Sequence, residues 1–168
     1  MSETHGMHSI TVLVENKPGV LARVCGLFAR RGFNIESLTV SITDDPTISR
    51  MTIVVADDEH ELAQIISQTN KLIDVVKVVD YYSHPTAERE LALIKVAVKA
   101  ADRAELMQVA NIFRANIIDI SKTTFTIEVT GSKSKIDAFV ELLKPYGIKE
   151  AVRTGTIVVS RGASTALS

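Results

Sequence analysis

The residues best placed to do chemistry form a short turn, Asn16-Lys17-Pro18-Gly19, between a strand pattern and a helix pattern. A helix begins with backbone N–H groups that have no acceptor inside the helix, and the helix dipole adds partial positive charge there. Such a start attracts small anions, and Gly19 leaves room for a ligand to approach the backbone. The turn predicts a pocket for a small anion or an amino acid. A loop that only joins a strand to a helix would show the same residues, so the turn alone leaves both interpretations open.

The sequence contains no recognisable catalytic motif. The four histidines have no spacing typical of a metal site, and the phosphate-binding and nucleophile motifs G-x-x-x-x-G-K-[ST], G-x-G-x-x-G and G-x-S-x-G are absent. Paired carboxylates occur at Asp44-Asp45 and Asp57-Asp58. Both pairs follow a strand pattern, which favours a role in turns over general acid–base catalysis. We therefore expect no catalytic residues and no metal site on this chain.

The composition indicates a folded protein, because 46% of the 168 residues are hydrophobic and 23% are charged. A formal net charge of −1 argues against broad electrostatic capture of nucleic acid or of an acidic membrane. Cys25 is the only cysteine, which excludes an intramolecular disulfide, and its place beside an apolar helix stripe predicts a small buried hydrophobe. The polar stretch Met1–Met7 does not resemble a secretory signal, and no apolar run approaches the ~18 residues of a membrane span. We expect a cytoplasmic protein.

The first half of the chain has the order βαββαβ. Alternating apolar residues predict strands at 10–15, 37–43, 48–56 and 74–81, and helical spacing predicts helices around 20–28 and 62–72. Gly32 is predicted to end the first helix, and Asp44-Asp45-Pro46 is predicted to form a turn.

The same order recurs after a polar break at 83–90. Strands are predicted at 91–99, 116–121, 123–130 and 148–160, with an interruption near Gly155, and helices at 106–113 and 136–143. The last eight residues are small and polar, which predicts a loose tail.

Two βαββαβ units predict an α+β protein with two consecutive ferredoxin-like domains. The predicted boundaries are an N-terminal tail at 1–7, a first domain at 8–82, a linker at 83–90, a second domain at 91–160 and a C-terminal tail at 161–168. Right-handed crossovers place both helices of each domain on one face of its sheet. The other face of the first domain is the more apolar, which predicts that this domain associates.

Two other protein classes share this order of elements. Acylphosphatases hold phosphate with an arginine in the first strand–helix loop, but this loop carries only Lys17. RNA-binding RRM domains stack bases on aromatic residues of the central strands, whereas the third predicted strand here has no aromatic residue. Both classes are disfavoured.

The residues resemble two known modules. ENKPGVLARVCGLFARRGFNIESLTV and DDPTISRMTIVV resemble the ACT domain of small regulatory subunits of acetohydroxyacid synthase, also called acetolactate synthase. RELALIKV, NIFRANIIDIS and GIKEAVRTG resemble the C-terminal domain of the same subunits. The resemblance extends over nearly the whole chain.

The resemblance implies a non-catalytic regulatory subunit of branched-chain amino acid biosynthesis. Such subunits bind a large catalytic subunit that uses thiamine diphosphate, magnesium and FAD, raise its activity and make it sensitive to feedback inhibition by valine. No cofactor is implied on this chain. The positions that match the family's effector site are Asn16, Gly19, Val20, Leu21, Asn34 and Ile35.

The spacing of these residues predicts a homodimer. Asn16 and Gly19 precede the first predicted helix and Asn34 follows it, and a helix of about 12 residues is ~18 Å long. Valine is too short to touch both ends, so one effector must bind residues from two chains. An isologous pairing through the ACT domain creates two equivalent sites.

Two competing functions stay open at the level of sequence. One is a free-standing tandem amino-acid sensor that acts on another target, and the other is a small enzyme on the same fold.

Overall fold

The computed structural model describes residues 6–57, 59–82 and 84–166. The first βαββαβ set consists of β1 (Gly6–Glu15), α1 (Val20–Arg30), β2 (Ile35–Ile42), β3 (Ile48–Asp57), α2 (Glu59–Thr69) and β4 (Val75–Asp80). The second set consists of β5 (Thr86–Ala97), α3 (Arg103–Ile112), β6 (Asn116–Ile120), β7 (Thr124–Gly131), α4 (Lys133–Leu143) and β8 (Ile148–Arg153), and the last strand is β9 (Ile157–Ser160). Short 3-10 turns occupy Ala100–Asp102 and Lys144–Tyr146. The order of elements confirms the predicted α+β fold with two ferredoxin-like repeats.

The chain divides into two compact units. Unit 1 contains residues up to Ala87 together with the segment from Thr156 onward, and unit 2 contains Glu88–Gly155. The sheet of unit 1 has the order β2-β3-β1-β4, and β6-β7-β5-β8 is the corresponding order in unit 2. All of these neighbouring strands are antiparallel. The central strands are the first and third of each repeat, as expected when both connecting helices cross on one face.

Each unit has its own apolar core between its helices and its sheet. In unit 1, helix α1 buries a stripe with the spacing i, i+4, i+7, i+8, against alternate residues of β1 and β3. The buried stripe consists of Val20, Val24, Leu27 and Phe28. In unit 2, the core is centred on Phe125, Phe139 and Leu106, all at most 1% exposed. The predicted apolar spacings thus identify the buried faces of the helices correctly.

Four predictions at the element boundaries are wrong. The segment 83–90, predicted as a linker, is strand from Thr86 onward, and Gly6 and Met7 of the predicted N-terminal tail belong to β1. The final predicted strand at 148–160 is two strands that belong to different units, separated around Gly155, which has a φ of 86°. The predicted loose tail from Arg161 is fixed within unit 1, because the Arg161 N–H donates to the Pro85 carbonyl and Ala166 is buried. Residues 1–5, 58, 83, 167 and 168 lie outside the described residues.

The second face of the sheet in unit 1 is partly covered by the chain itself. Val158 of β9 is 2% exposed, its carbonyl accepts a hydrogen bond from Arg50, and the Thr156 N–H donates to the Ser37 hydroxyl at 3.1 Å. Residues of β1 on this face, such as Leu13, are buried. The segment 156–166 therefore covers part of the apolar face that predicted association, and a fragment ending near Thr86 would lack part of its own unit.

In the described residues, no helix is long and apolar enough to cross a membrane.

The cover of unit 1 provides a test of this packing. Val158→Ala removes two buried methyl equivalents and should destabilise unit 1 by about 2 kcal/mol. Val159→Ala is the matched control, since Val159 is the next residue of the same strand and is 52% exposed, and it should change stability by less than about 0.5 kcal/mol. Hydrogen exchange of the β1 and β3 amides in urea measures unit 1 alone. Equal effects of the two substitutions would show that β9 does not pack as described.

Candidate effector-binding site

The turn between β1 and α1 is tied to the turn between β2 and β3. The Asn16 N–H donates to the Thr47 carbonyl at 2.7 Å, and Asn16 Nδ2 donates to the Pro46 carbonyl at 3.0 Å. The second turn is closed by Asp45, whose carboxylate accepts from the N–H and the hydroxyl of Thr47, and these bonds lower its pKa. Asp45 is thus a turn residue, as predicted, and the Asn16 amide holds the two turns together.

Gly19 is the N-cap of α1 in a left-handed conformation, with φ 84° and ψ −10°. A side chain there is strained, and the cap offers no side-chain acceptor to the first N–H groups of the helix. The first turn also contains no acidic residue. The local structure therefore leaves backbone N–H donors at the start of α1, as the sequence predicted for an anion pocket.

The two residues after Gly19 differ in what they present to a ligand. Val20 is 2% exposed and packs in the core, and its N–H makes a 3.4 Å contact with the Lys17 carbonyl. The Val20 side chain is therefore part of the core, so only the backbone of this predicted effector-site residue can meet a ligand. Leu21 is 42% exposed, so its side chain is available to an apolar ligand group.

Arg23 is a charged residue at this turn that is not among the site residues predicted from the sequence. Its Nε donates to Asp74 Oδ2 at 2.7 Å, and a Cβ placed on Gly19 would lie 3.4 Å from Arg23 Nη1. Asp74 is buried, and its carbonyl accepts from the Glu15 N–H, so the carboxylate is fixed to the end of β1. Arg23 lies 51 positions before Asp74, so no local sequence pattern predicts their ion pair. The only sign in the sequence that Arg23 lies near this turn is its position four residues after Gly19.

The other predicted residues lie beyond the far end of α1. Gly32 has a φ of 78° and terminates the helix with Phe33, whose N–H donates to the Phe28 carbonyl. Asn34 is exposed and its Nδ2 donates to Glu36 Oε1 at 2.7 Å. Ile35 is half-buried against the core of unit 1. Because α1 has 11 residues, its two ends are about 16 Å apart.

The structure consequently does not bring all six predicted residues together within one chain. It gathers Asn16, Gly19 and Leu21 at the start of α1 and places Asn34 at the end.

The surroundings of the Cys25 thiol and of the Glu90 carboxylate indicate structural roles for both groups. Burial raises the pKa of the Cys25 thiol, which disfavours the reactive thiolate. Glu90, whose side chain is 5% exposed, forms a two-pronged ion pair with Arg153, at 2.7 Å for each bond. In the part of the chain that is described, no group of three His, Cys, Asp or Glu residues could hold a metal.

A cavity of about 340 Å³ opens on the face of the unit 1 sheet that β9 covers, lined by Leu13, Ile42, Arg50 and Val158 among others. It lies on the face opposite α1, since Leu13 alternates with the core residues Val12 and Val14. It is therefore distinct from the predicted effector site.

Comparisons with known proteins decide the family. A model of the small subunit of acetolactate synthase matches residues 89–162, and a model of the AHAS small subunit-like ACT domain matches residues 10–77. The chain belongs to the acetolactate synthase small subunit family. The two matches lie in the two repeats, so membership extends over both halves of the chain, as the resemblance predicted.

Individual relatives agree with the family. A protein of Archaeoglobus fulgidus described as a "probable acetolactate synthase small subunit" is 54% identical over 92% of this chain and 97% of its own length. The acetolactate synthase small subunit of Mycolicibacterium smegmatis is 49% identical over 96% of this chain and 95% of its own length. The crystal structure of the acetolactate synthase small subunit from Thermotoga maritima superimposes with a TM-score of 0.87 at 43% identity, covering 95% of this chain and 99% of that one. A small subunit of this kind is regulatory and implies a separate large subunit that carries the catalysis.

The left-handed turn at Gly19 provides a test of the local geometry. Gly19→Ala should destabilise the protein by about 1 kcal/mol, because a Cβ is strained at this φ. Gly26→Ala is the matched control, since Gly26 lies within α1 and an added Cβ would make only an ordinary contact with Arg30. It should stabilise the protein by up to about 1 kcal/mol. Urea unfolding measures both, and the same sign for the two variants would contradict the conformation described for Gly19.

Proposed function

We propose that this chain activates the large catalytic subunit of acetolactate synthase and makes it sensitive to feedback inhibition by valine. Thiamine diphosphate, Mg²⁺ and FAD belong to the large subunit in this proposal, and none of them binds to this chain. The observation that supports the proposal most is membership of the small subunit family over both repeats. The residues that match the family's effector site add to it, because the start of α1 offers backbone donors beside an exposed apolar side chain.

The effector site is proposed to form between two copies of the chain. Asn34 is too far from Gly19 to bind the same valine within one protomer, but it immediately precedes β2. Strand β2 lies at the edge of its sheet, so its outer hydrogen-bonding groups are available to another strand.

Antiparallel pairing of two β2 strands about a two-fold axis brings the two halves of the site together. If Ile35 pairs with Ile42 of the second copy, the partner's Asn34 lies opposite Thr43. Thr43 begins the turn to which Asn16 is hydrogen-bonded, because its N–H donates to the Ile48 carbonyl that closes the turn. One isologous contact then creates two equivalent sites.

In this arrangement each part of valine has a matching group. The carboxylate accepts hydrogen bonds from backbone N–H groups at the start of α1. The ammonium donates to Oδ1 of the partner's Asn34, since Nδ2 of that amide is already directed to Glu36. The isopropyl group lies against apolar side chains such as Leu21 and the partner's Ile35.

The apolar contact predicts selectivity among amino acids. Valine has two more carbon groups than alanine, each worth about 0.8 kcal/mol when buried. The resulting ~1.6 kcal/mol corresponds to roughly 15-fold tighter binding of valine, since 1.4 kcal/mol is tenfold. Isothermal calorimetry of the full chain with both amino acids measures the ratio, and equal affinities would contradict an apolar subsite.

Reconstitution with the large subunit tests the regulatory function. The chain alone should form no acetolactate, whereas added to its large subunit it should raise the rate of acetolactate formation and make it sensitive to valine. Acetolactate formation by the chain without the large subunit would support an enzyme. Failure to bind or stimulate any thiamine-dependent large subunit would instead favour a free-standing sensor.

Substitution of Gly19 tests the proposed site in the same assay. Gly19→Asp places a negative charge beside the effector carboxylate and should raise the half-inhibitory valine concentration more than tenfold. Gly19→Asn has nearly the same shape without the charge, and asparagine tolerates the left-handed conformation, so its effect should be smaller. Gly162→Asp is the matched control at another glycine with positive φ, where nothing lies within 4 Å of an added Cβ. An inhibition curve unchanged by Gly19→Asp would mean that valine binds elsewhere.

A further inference from the structure

Two charged side chains flank the proposed effector site, and neither is among the site residues that the sequence predicts. Arg23 lies at the start of α1, and Glu36 lies beside Asn34 near the other end. The inference drawn from them rests on the proposed function, because it concerns how the same site recognises its ligand.

Arg23 is held in a position where it can bind a second carboxylate. Asp74 occupies its Nε, at 2.7 Å, while Nη1 is directed toward Gly19. A guanidinium has five N–H donors and binds carboxylates with two parallel bonds, so the Asp74 contact leaves donors for another anion. Asp74 is buried and Arg23 is half exposed, which means that the fixed side of the pair faces the protein and the available side faces the turn.

The other cation of the turn is engaged elsewhere. Lys17 Nζ contacts Glu15 Oε2 at 2.6 Å, and hydrogen bonding to that carboxylate raises the lysine pKa. Lys17 is exposed and belongs to the loop, whereas Arg23 belongs to the helix and is anchored to Asp74, the residue before β4. Arg23 is therefore the better-ordered positive charge next to Gly19.

Glu36 accompanies Asn34 at the start of the edge strand. Asn34 Nδ2 donates to Glu36 Oε1 at 2.7 Å, so the amide and the carboxylate are adjacent, and both residues are exposed. Glu36 lies where the β2–β3 register shifts between Ile35 and Ser37. A bulge of this kind redirects a side chain away from the regular alternation. Any contact that brings Asn34 to a second copy brings the negative charge of Glu36 with it.

We propose that the site recognises the zwitterion of an α-amino acid by a charge at each end, with Arg23 of one protomer on the carboxylate and the partner's Glu36 on the ammonium. The ligand class is an α-amino acid with both charges present. An amine without a carboxylate, or an acid without an ammonium, loses one of the two ion pairs. The pairing also makes the site incomplete in a single chain.

Two analogues of valine measure the two ends separately. 2-Methylpropylamine is valine without its carboxylate, and 3-methylbutanoate is valine without its ammonium. Calorimetry of the full chain should give at least tenfold weaker binding of each analogue than of valine, because each has lost a charge-assisted contact. If the wild-type chain does not bind valine at all, the proposed function fails rather than this inference.

Single substitutions then assign each charge to its residue. Arg23→Gln should weaken valine about tenfold or more and leave 2-methylpropylamine unchanged, while Glu36→Gln should weaken valine and leave 3-methylbutanoate unchanged. A merely structural role would weaken all three ligands together. Lys144→Gln and Glu141→Gln are matched controls, since each removes one charge of the same sign from an exposed residue of an ion pair that lies outside the proposed site. The double variant Arg23→Gln/Asp74→Asn gives the same readout without a buried unpaired carboxylate.

Complementation between the two variants tests the contribution from both copies. When Arg23→Gln and Glu36→Gln chains are refolded together, each mixed dimer contains one intact site and one site that lacks both charges. About a quarter of all sites should then bind valine with the wild-type affinity, as random pairing about a two-fold axis requires. The proposal is wrong if the mixture contains no sites with wild-type affinity for valine. It is also wrong if both single variants bind valine as tightly as wild type, and in either case valine regulation itself stays possible.

Discussion

Helix α1 is a rigid spacer, and the proposed regulation depends on its length. Its 11 residues hold the N–H groups after Gly19 and the amide of Asn34 about 16 Å apart. The stripe of Val20, Val24, Leu27 and Phe28 packs the helix on its sheet, so this spacing cannot relax without disrupting the core. In the proposed site, a small effector that needs both ends joins two chains, so the proposal makes association of the chains depend on effector concentration.

The fixed length of α1 also indicates how binding of the effector affects the rest of the protein. A ligand shifts an equilibrium only by its differential affinity for two states, typically 1–3 kcal/mol for regulatory coupling. An effector bound across two β2 strands has such a difference, since half of its contacts disappear when the strands separate or slide. The turn at Asp45 and the Asn16 amide connect that edge by hydrogen bonds to the start of α1, where the effector site is proposed.

Much of the fold follows from the sequence, because the spacing of apolar residues shows which face of each helix or strand is buried. The helices of both repeats, the turn at Asp44-Asp45-Pro46 and the end of α1 near Gly32 were predicted from patterns that one element contains by itself. The break at 83–90 was misassigned because its polar residues alternate with too little contrast to show the strand that begins at Thr86. The split between β8 and β9 depends on which unit each strand joins, and an apolar residue such as Val158 fits the pattern of a strand in either unit.

The residues of the candidate site likewise include some that a local sequence pattern predicts and others that no local pattern reveals. Gly19 and Asn16 were found from the turn chemistry of four consecutive residues, and their conformations agree with it. Val20 is among the predicted effector-site residues although its side chain is buried, because the first position of a helix stripe is apolar whether it faces a ligand or the core. Arg23 and Asp74 were missed because their ion pair joins residues far apart in sequence, which no local pattern reveals.

The most direct test of the central claim is the effect of valine on the association of the chain. Sedimentation equilibrium of the full chain, without the large subunit, gives the dimer dissociation constant with and without saturating valine. If the effector site is shared between two copies, valine must lower that constant, because only the dimer contains a complete site. If valine binds to the chain and the constant does not change, the site lies within one protomer and the account of α1 as a spacer is wrong.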